Sequence, residues 1–205
     1  MPLSTDTRTG PGAVPPPAQF AAAVAEIRRA GFRSEVHVEE MPAPQRIAPW
    51  ATAVSADVDV DDDEVGTGRL ILLHDPHGND AWLGTFRFVA YVRAQVDPEL
   101  AIDPMLGEVG WSWLTEALEA HGAQFHNASG TVTRVTTEAF GEMEEDEGSA
   151  QIEIRASWTP LGDADGTPVR AHVEAWGELL CTAVGLPPVP EGVTAIPSRR
   201  GQRGH

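Results

Sequence analysis

The sequence contains no lysine: all fourteen of its Lys/Arg positions are arginine. That absence excludes Schiff-base chemistry, a pyridoxal anchor, a phosphate-loop lysine and the lysine of a kinase site. Cysteine is nearly absent too. Cys181 stands alone, so neither an intramolecular disulfide nor a Cys-rich zinc site can form, and a reducing cytoplasm is the expected compartment. No apolar run approaches the roughly 18 residues of a membrane span. The first residues lack the basic stretch and apolar core of a secretory signal. Positive charge is also scarce: 31 acids against 14 arginines give a formal net charge of -17. Such a surface repels phosphate backbones. The one basic cluster legible in the sequence is Arg199, Arg200 and Arg203 near the end of the chain, so direct nucleic-acid binding is not expected. Arginine without lysine, amid abundant alanine, glycine and proline, reads as a trace of a GC-rich coding sequence.

What is present suits one folded domain. The chain has 205 residues, 41% of them hydrophobic, and six tryptophans able to anchor a core. Residues 1–16 are rich in Ser, Thr, Gly and Pro and read as a disordered arm. A helix follows, with Phe20, Ala23, Val24 and Ile27 on one face and Gly31 as its stop. Residues 34–40 and 53–60 alternate as half-buried strands, and 69–74 is a compact apolar strand. Residues 75–80 are turn chemistry, so a hairpin joins 69–74 to a long strand over 81–96, with room for a bulge near Gly84. Asp103 and Pro104 start a helix striped by Leu106, Val109, Trp113, Ala117 and Leu118 and stopped by Gly122. Strands at 130–140 and 150–158 follow. Val169, Val173, Trp176, Leu180 and Val184 stripe a last helix, which Gly185 ends. Residues 187–205 read as a flexible Pro/Gly/Arg tail. The order α-β-β-β-β-α-β-β-α has strands in hairpin runs. It predicts an α+β domain over 17–186, an antiparallel sheet of about six strands with helices on one face.

Several constellations suggest chemistry or binding, and each has a plainer explanation. His74, His77 and Asp80 have the spacing and donor types of a zinc or iron site, but the same residues are what a hairpin turn requires. Asp57, Asp59 and Asp61 imitate the start of a calcium loop, yet Asp62 holds its glycine position and Gly68 its terminal glutamate position. The acidic stretch around Glu144 and Glu145 reads as a solvated hairpin tip. Both acidic tracts could receive a basic protein partner. His121 and His126 flank a helix end, where the dipole favours histidine. Ser112 sits in a broken nucleophile elbow on the polar side of a helix, which speaks against a serine hydrolase. Residues 42–49, stiffened by three prolines, carry Arg46 and lead to Trp50. Arginine with tryptophan is the chemistry of interface hot spots, and a rigid crossover covering a sheet edge would also account for the segment.

Three stretches carry a family resemblance: Met-Pro-Ala-Pro-Gln-Arg-Ile-Ala-Pro at 41–49, Asp-Pro-Met-Leu-Gly-Glu-Val-Gly-Trp-Ser-Trp at 103–113, and Ala-Ser-Gly-Thr-Val-Thr at 128–133. Together they resemble an actinobacterial family of uncharacterised proteins, the domain of unknown function 3000 (DUF3000), over roughly residues 18–190. The family implies no known chemistry. The expectation is a cytoplasmic, non-catalytic acidic module that binds a protein with a basic surface, without a cofactor. The alternative is a small-ligand or metal-dependent enzyme using His74, His77 and Asp80.

Overall fold

The structure is a computed structural model that describes residues 15–141, 149–162 and 168–188. Helix α1 (Ala18–Arg29) buries Phe20, Ala23 and Ile27. Four strands follow, β1 (Val36–Met41), β2 (Trp50–Val60), β3 (Asp63–Asn79) and β4 (Gly84–Val96); then a short α2 (Pro98–Ala101), α3 (Leu106–Ala120), β5 (Phe125–Thr137), β6 (Ser149–Pro160) and α4 (Val169–Ala183). The strands form one six-stranded sheet in the order β1-β2-β3-β4-β6-β5, with every neighbouring pair antiparallel. The expected α+β fold is the observed one. The arm and tail positions 1–14 and 189–205 lie outside the described residues. Pro187 does not hang free: its carbonyl accepts a 2.7 Å hydrogen bond from Arg33.

Strand alternation decides which face is buried. Leu70 and Leu72 of β3, Phe88, Ala90 and Val92 of β4, and Ile152, Ile154 and Trp158 of β6 all face the helices. Helix α4 lies over the middle of that face. It contacts β3, β4 and β6 and has α3 and α1 at its flanks. Trp176, Leu179 and Leu180 of α4 are fully buried. Glycine makes this approach possible. A Cβ on Gly68 would lie 2.8 Å from both Leu180 Cδ2 and Trp176 Cζ2, and one on Gly66 would lie 2.5 Å from Val184 Cγ1.

Some local expectations need correction. On α3 the buried stripe is Leu106, Gly110, Leu114, Ala117 and Leu118; Val109 is exposed and Trp113 only half-buried. The cause is Gly110, whose missing side chain lets the helix settle on the sheet: a Cβ there would come within 2.9 Å of Ile152 Cδ1. Helix α2 was not expected. Its start is capped by Asp97, which accepts from the Glu99 backbone N–H at 2.8 Å. Strand β3 starts at Asp63 rather than at 69, and only Asp61 and Asp62, both with positive φ, join it to β2, as a tight type I′ hairpin requires. The turn after β3 falls at 80–83 rather than 75–80, and Trp82 lies in it rather than in a strand. Strand β5 starts earlier than expected, at Phe125. Residues 42–49 are the connection of the β1–β2 hairpin, not a crossover.

One buried polar contact marks the centre of the core. Trp158 Nε1 donates to His172 Nδ1 at 3.1 Å, so the imidazole proton sits on Nε2, which finds no partner. Burial pushes the His172 pKa down to about 4. In the unfolded chain the group titrates near 6.5, so the unfolded state takes up the proton first as pH falls. Stability associated with this residue is complete above about pH 6.5 and is lost toward pH 4, a decrease of about 3 kcal/mol. Urea denaturation at pH 7 and pH 4.5 should therefore show a smaller acid-induced loss in His172→Gln, which keeps an acceptor for Trp158, than in the wild type. Gly68→Ala should destabilise the fold by about 2 kcal/mol at pH 7, read from the shift in urea midpoint.

Candidate binding face

All the helices lie on one side, so the register of the strands defines a second, uncovered face. Three cross-strand rows run over it: Ser55, Arg69, Tyr91, Arg155 and Thr131; Asp57, Thr67, Arg93, Glu153 and Thr133; and Ala53, Ile71, Val89, Ser157 and Ser129. Between them lies an open groove of about 780 Å³, whose lining includes Arg69, Ile71, Tyr91, Arg93, Arg155 and Ser157. Strands in a sheet are about 4.8 Å apart, so the backbones of Arg69 and Arg155, two strands apart, are separated by about 10 Å.

The electrostatics of this face oppose those of the whole chain. Among the described residues, Arg46, Arg69, Arg87, Arg93 and Arg134 have no carboxylate within salt-bridge distance, whereas Arg28, Arg29, Arg33, Arg155 and Arg170 do. Three of the carboxylate-free arginines, Arg69, Arg87 and Arg93, belong to this face. Arg155 lies with its guanidinium carbon 5.4 Å from the Tyr91 ring centroid and donates to Glu153 at 3.1 Å. Tyr91 also donates its hydroxyl to Glu153, at 3.1 Å. Burial and the Glu153 carboxylate raise the Tyr91 pKa, which keeps the phenol protonated and a donor.

Arg87 anchors the arrangement. It keeps only 7% of its surface exposed. Nη1 donates to the Asn127 carbonyl at 2.8 Å and to Thr159 Oγ1 at 3.1 Å. Nη2 donates to Ser157 Oγ at 2.7 Å and to Ser129 Oγ at 3.4 Å. Its pKa is lowered by burial alone, yet a guanidinium stays charged in proteins. A buried cation held by neutral oxygens is unusual, since buried charges are ordinarily paired with a counter-charge. The β5 bulge makes the geometry possible: Asn127 has φ 52°, and the register slips between His126 and Ser129. The β3–β4 turn closes over this end, with Thr159 Oγ1 donating to the Trp82 carbonyl at 2.6 Å and Asn127 Nδ2 to the Ala81 carbonyl at 3.1 Å.

The residues singled out by sequence fall elsewhere. His74 is fully buried, stacked 4.1 Å from Phe86 and 5.9 Å from Phe20. Its Nδ1 is 2.9 Å from the Thr85 carbonyl oxygen, and burial lowers its pKa. His77 and Asp80 are exposed. Among the described residues no three His, Cys, Asp or Glu side chains are grouped as a metal site needs, so the fold does not assemble His74, His77 and Asp80. Arg46 is exposed at φ 72°, while half-buried Trp50 turns toward Phe20, their rings 6.1 Å apart. Asp57 is exposed, and Asp59 lies 3.5 Å from His37 Nε2. Asp61 forms the hairpin turn, and Glu144 and Glu145 lie outside the described residues. Sequence reasoning missed the arginine face. Its signal was parity: Arg87, Arg93 and Arg155 each occupy the outward positions of strands whose alternate residues are apolar.

Replacing Arg87 tests whether it holds the face together. Arg87→Met should cost about 2 kcal/mol, because the Asn127 carbonyl and Thr159 lose a charged donor. Arg87→Lys should not restore the loss, since one ammonium cannot serve four acceptors held by a planar fork. Urea midpoints of the two variants check this.

A family model described as "Protein of unknown function (DUF3000)" matches residues 16–194. Comparison with curated proteins and with solved structures returns no match. With most of the chain covered by that model, the protein belongs to the DUF3000 family.

Proposed function

We propose that this protein is a cytoplasmic, non-catalytic interaction module that docks a protein partner on the uncovered face of its sheet. The observation that carries the reading is the asymmetry of the two faces. One is sealed by three helices, and the other presents Arg69, Arg87 and Arg93, which among the described residues have no carboxylate partner, in a chain of net charge -17. Antiparallel sheets are often solvated on one side, so exposure alone would mean little. The presence of carboxylate-free Arg69 and Arg93 on the same face as a buried guanidinium is what favours a docking role.

The groups that could have done chemistry have structural work instead. His74 and His172 are sealed in the core. Burial pushes the Cys181 thiol up to about 11, which keeps it from acting as a thiolate nucleophile. Ser112 donates to the Val109 carbonyl of its own helix. The groove is shallow and open, whereas small-molecule sites usually bury most of their ligand; this favours a macromolecular partner. The sequence alone directs attention to a basic partner meeting the acidic tracts. In the fold Asp61 and Asp62 are accounted for by turn geometry, and we place the contact on the sheet face.

Site-specific photo-crosslinking in the native host tests the reading. A benzophenone side chain at position 133, on the rim of the face, should give a discrete protein adduct. The same group at position 116, exposed on α3, should give none. Adducts at neither position, or only at 116, would contradict a docking role for the sheet face.

A further inference from the structure

The hydrogen-bond polarity of the face says what kind of group it receives. Arg87 Nη2 donates to both Ser157 Oγ and Ser129 Oγ, so each hydroxyl is used as an acceptor from behind. The two oxygens are 3.4 Å apart, and a bond between them would consume one hydroxyl proton. At least one therefore has no acceptor among the described residues and is available to an incoming group. The positive charge of a buried guanidinium is thus relayed through hydroxyls to the surface. Beside them stand Arg155 and Arg69, both exposed, which can only donate. The carboxylates of the three rows, Glu153 and Asp57, both lie in the Arg93 row, and Glu153 is engaged by Tyr91 and Arg155.

We infer that this face recognises the side-chain carboxylates of an acidic, Asp/Glu-rich segment of the partner, through the Ser129 and Ser157 hydroxyls and the guanidinium groups of Arg69 and Arg155. The inference rests on the sheet face being the docking surface and adds the chemistry of what docks. Planar guanidinium groups match carboxylates in a two-pronged geometry and give short, charge-assisted hydrogen bonds. The attraction is local. At physiological salt charges are screened beyond about 8 Å, so the net negative charge of the chain does not cancel a contact made directly at the arginines.

Two features favour a peptide over a nucleic acid. Single-stranded nucleic acid uses aromatic rings as stacking platforms, but the Tyr91 ring already has Arg155 over it and its hydroxyl is tied to Glu153. A long polyanion would also run off the patch onto Asp57 and toward the Asp61–Asp62 hairpin tip, where carboxylates repel it. A short acidic segment stays over the two rows that, from β2 to β5, hold Arg69, Arg155, Ser157 and Ser129 and no carboxylate.

Isothermal titration of the purified full chain with a ten-residue oligoglutamate peptide tests the assignment, with oligolysine and oligothymidylate of equal length as comparison probes. Oligoglutamate should bind one to one, weaken with added salt, and lose at least about tenfold in affinity in Arg69→Gln/Arg155→Gln. Ser157→Ala should weaken it by about threefold. The arginine variants carry exposed substitutions, and unchanged thermal melting confirms their fold. Absence of oligoglutamate binding, equal affinity in the double variant, or tighter binding of oligothymidylate or oligolysine would overturn the inference. A partner crosslinked through position 133 together with absent oligoglutamate binding would leave the docking face standing and remove only the carboxylate assignment. Loss of the crosslink itself would remove the docking face.

Discussion

The close seating of α4 on the sheet is the contact on which the rest of the structure depends. Gly66 and Gly68 of β3 leave no side chains between the strand and the helix, and Val184, Leu180 and Trp176 fill that space. Because α4 sits so near, it can cover β3, β4 and β6 at once, and α1 and α3 pack on its two sides. A helix layer gathered over one side has a consequence for the other. The opposite face receives no helix, and whatever its outward residues carry is presented to solvent.

That second face is held in shape by a charge. Arg87 ties three strands together through Ser129, Ser157, Thr159 and the Asn127 carbonyl, and among the described residues no carboxylate lies within salt-bridge distance of it. A buried ion pair would have been electrically closed. A guanidinium held only by neutral oxygens leaves a positive potential that the surface can use, and the exposed Arg69, Arg93 and Arg155 add to it. Carboxylates gather at the β2–β3 tip, and in the middle of the open face Arg69, Arg93 and Arg155 outnumber Glu153.

Much of the fold was legible from alternation. Alternation over 81–96 and 150–158 identified β4 and β6, and the α4 stripe was read almost as it stands. Gly110 defeated the reading of α3, because periodicity counts apolar side chains and gives no weight to a glycine that lets a helix approach. Asp97 and Pro98 start a one-turn helix too short to show a period. The turn after β3 moved because His74 to Asn79 remain strand despite their turn-like composition. The arginine face was hidden for a different reason. Arg69, Arg87, Arg93 and Arg155 are scattered in sequence, and only the order β3-β4-β6 makes them neighbours. His74, His77 and Asp80, close in sequence, were parted by burial of the first among Phe20 and Phe86.

The absence of lysine gives a direct way to ask whether the arginine face is occupied in its own cell. Arginine-selective labelling with phenylglyoxal, quantified by mass spectrometry, can be compared between native host extract and the purified chain. Occupation of the sheet face predicts that Arg69, Arg93 and Arg155 are protected in the extract, while Arg28, Arg29 and Arg170 on the helical side react equally in both. Equal reactivity of Arg69, Arg93 and Arg155 in the extract and in isolation would contradict it.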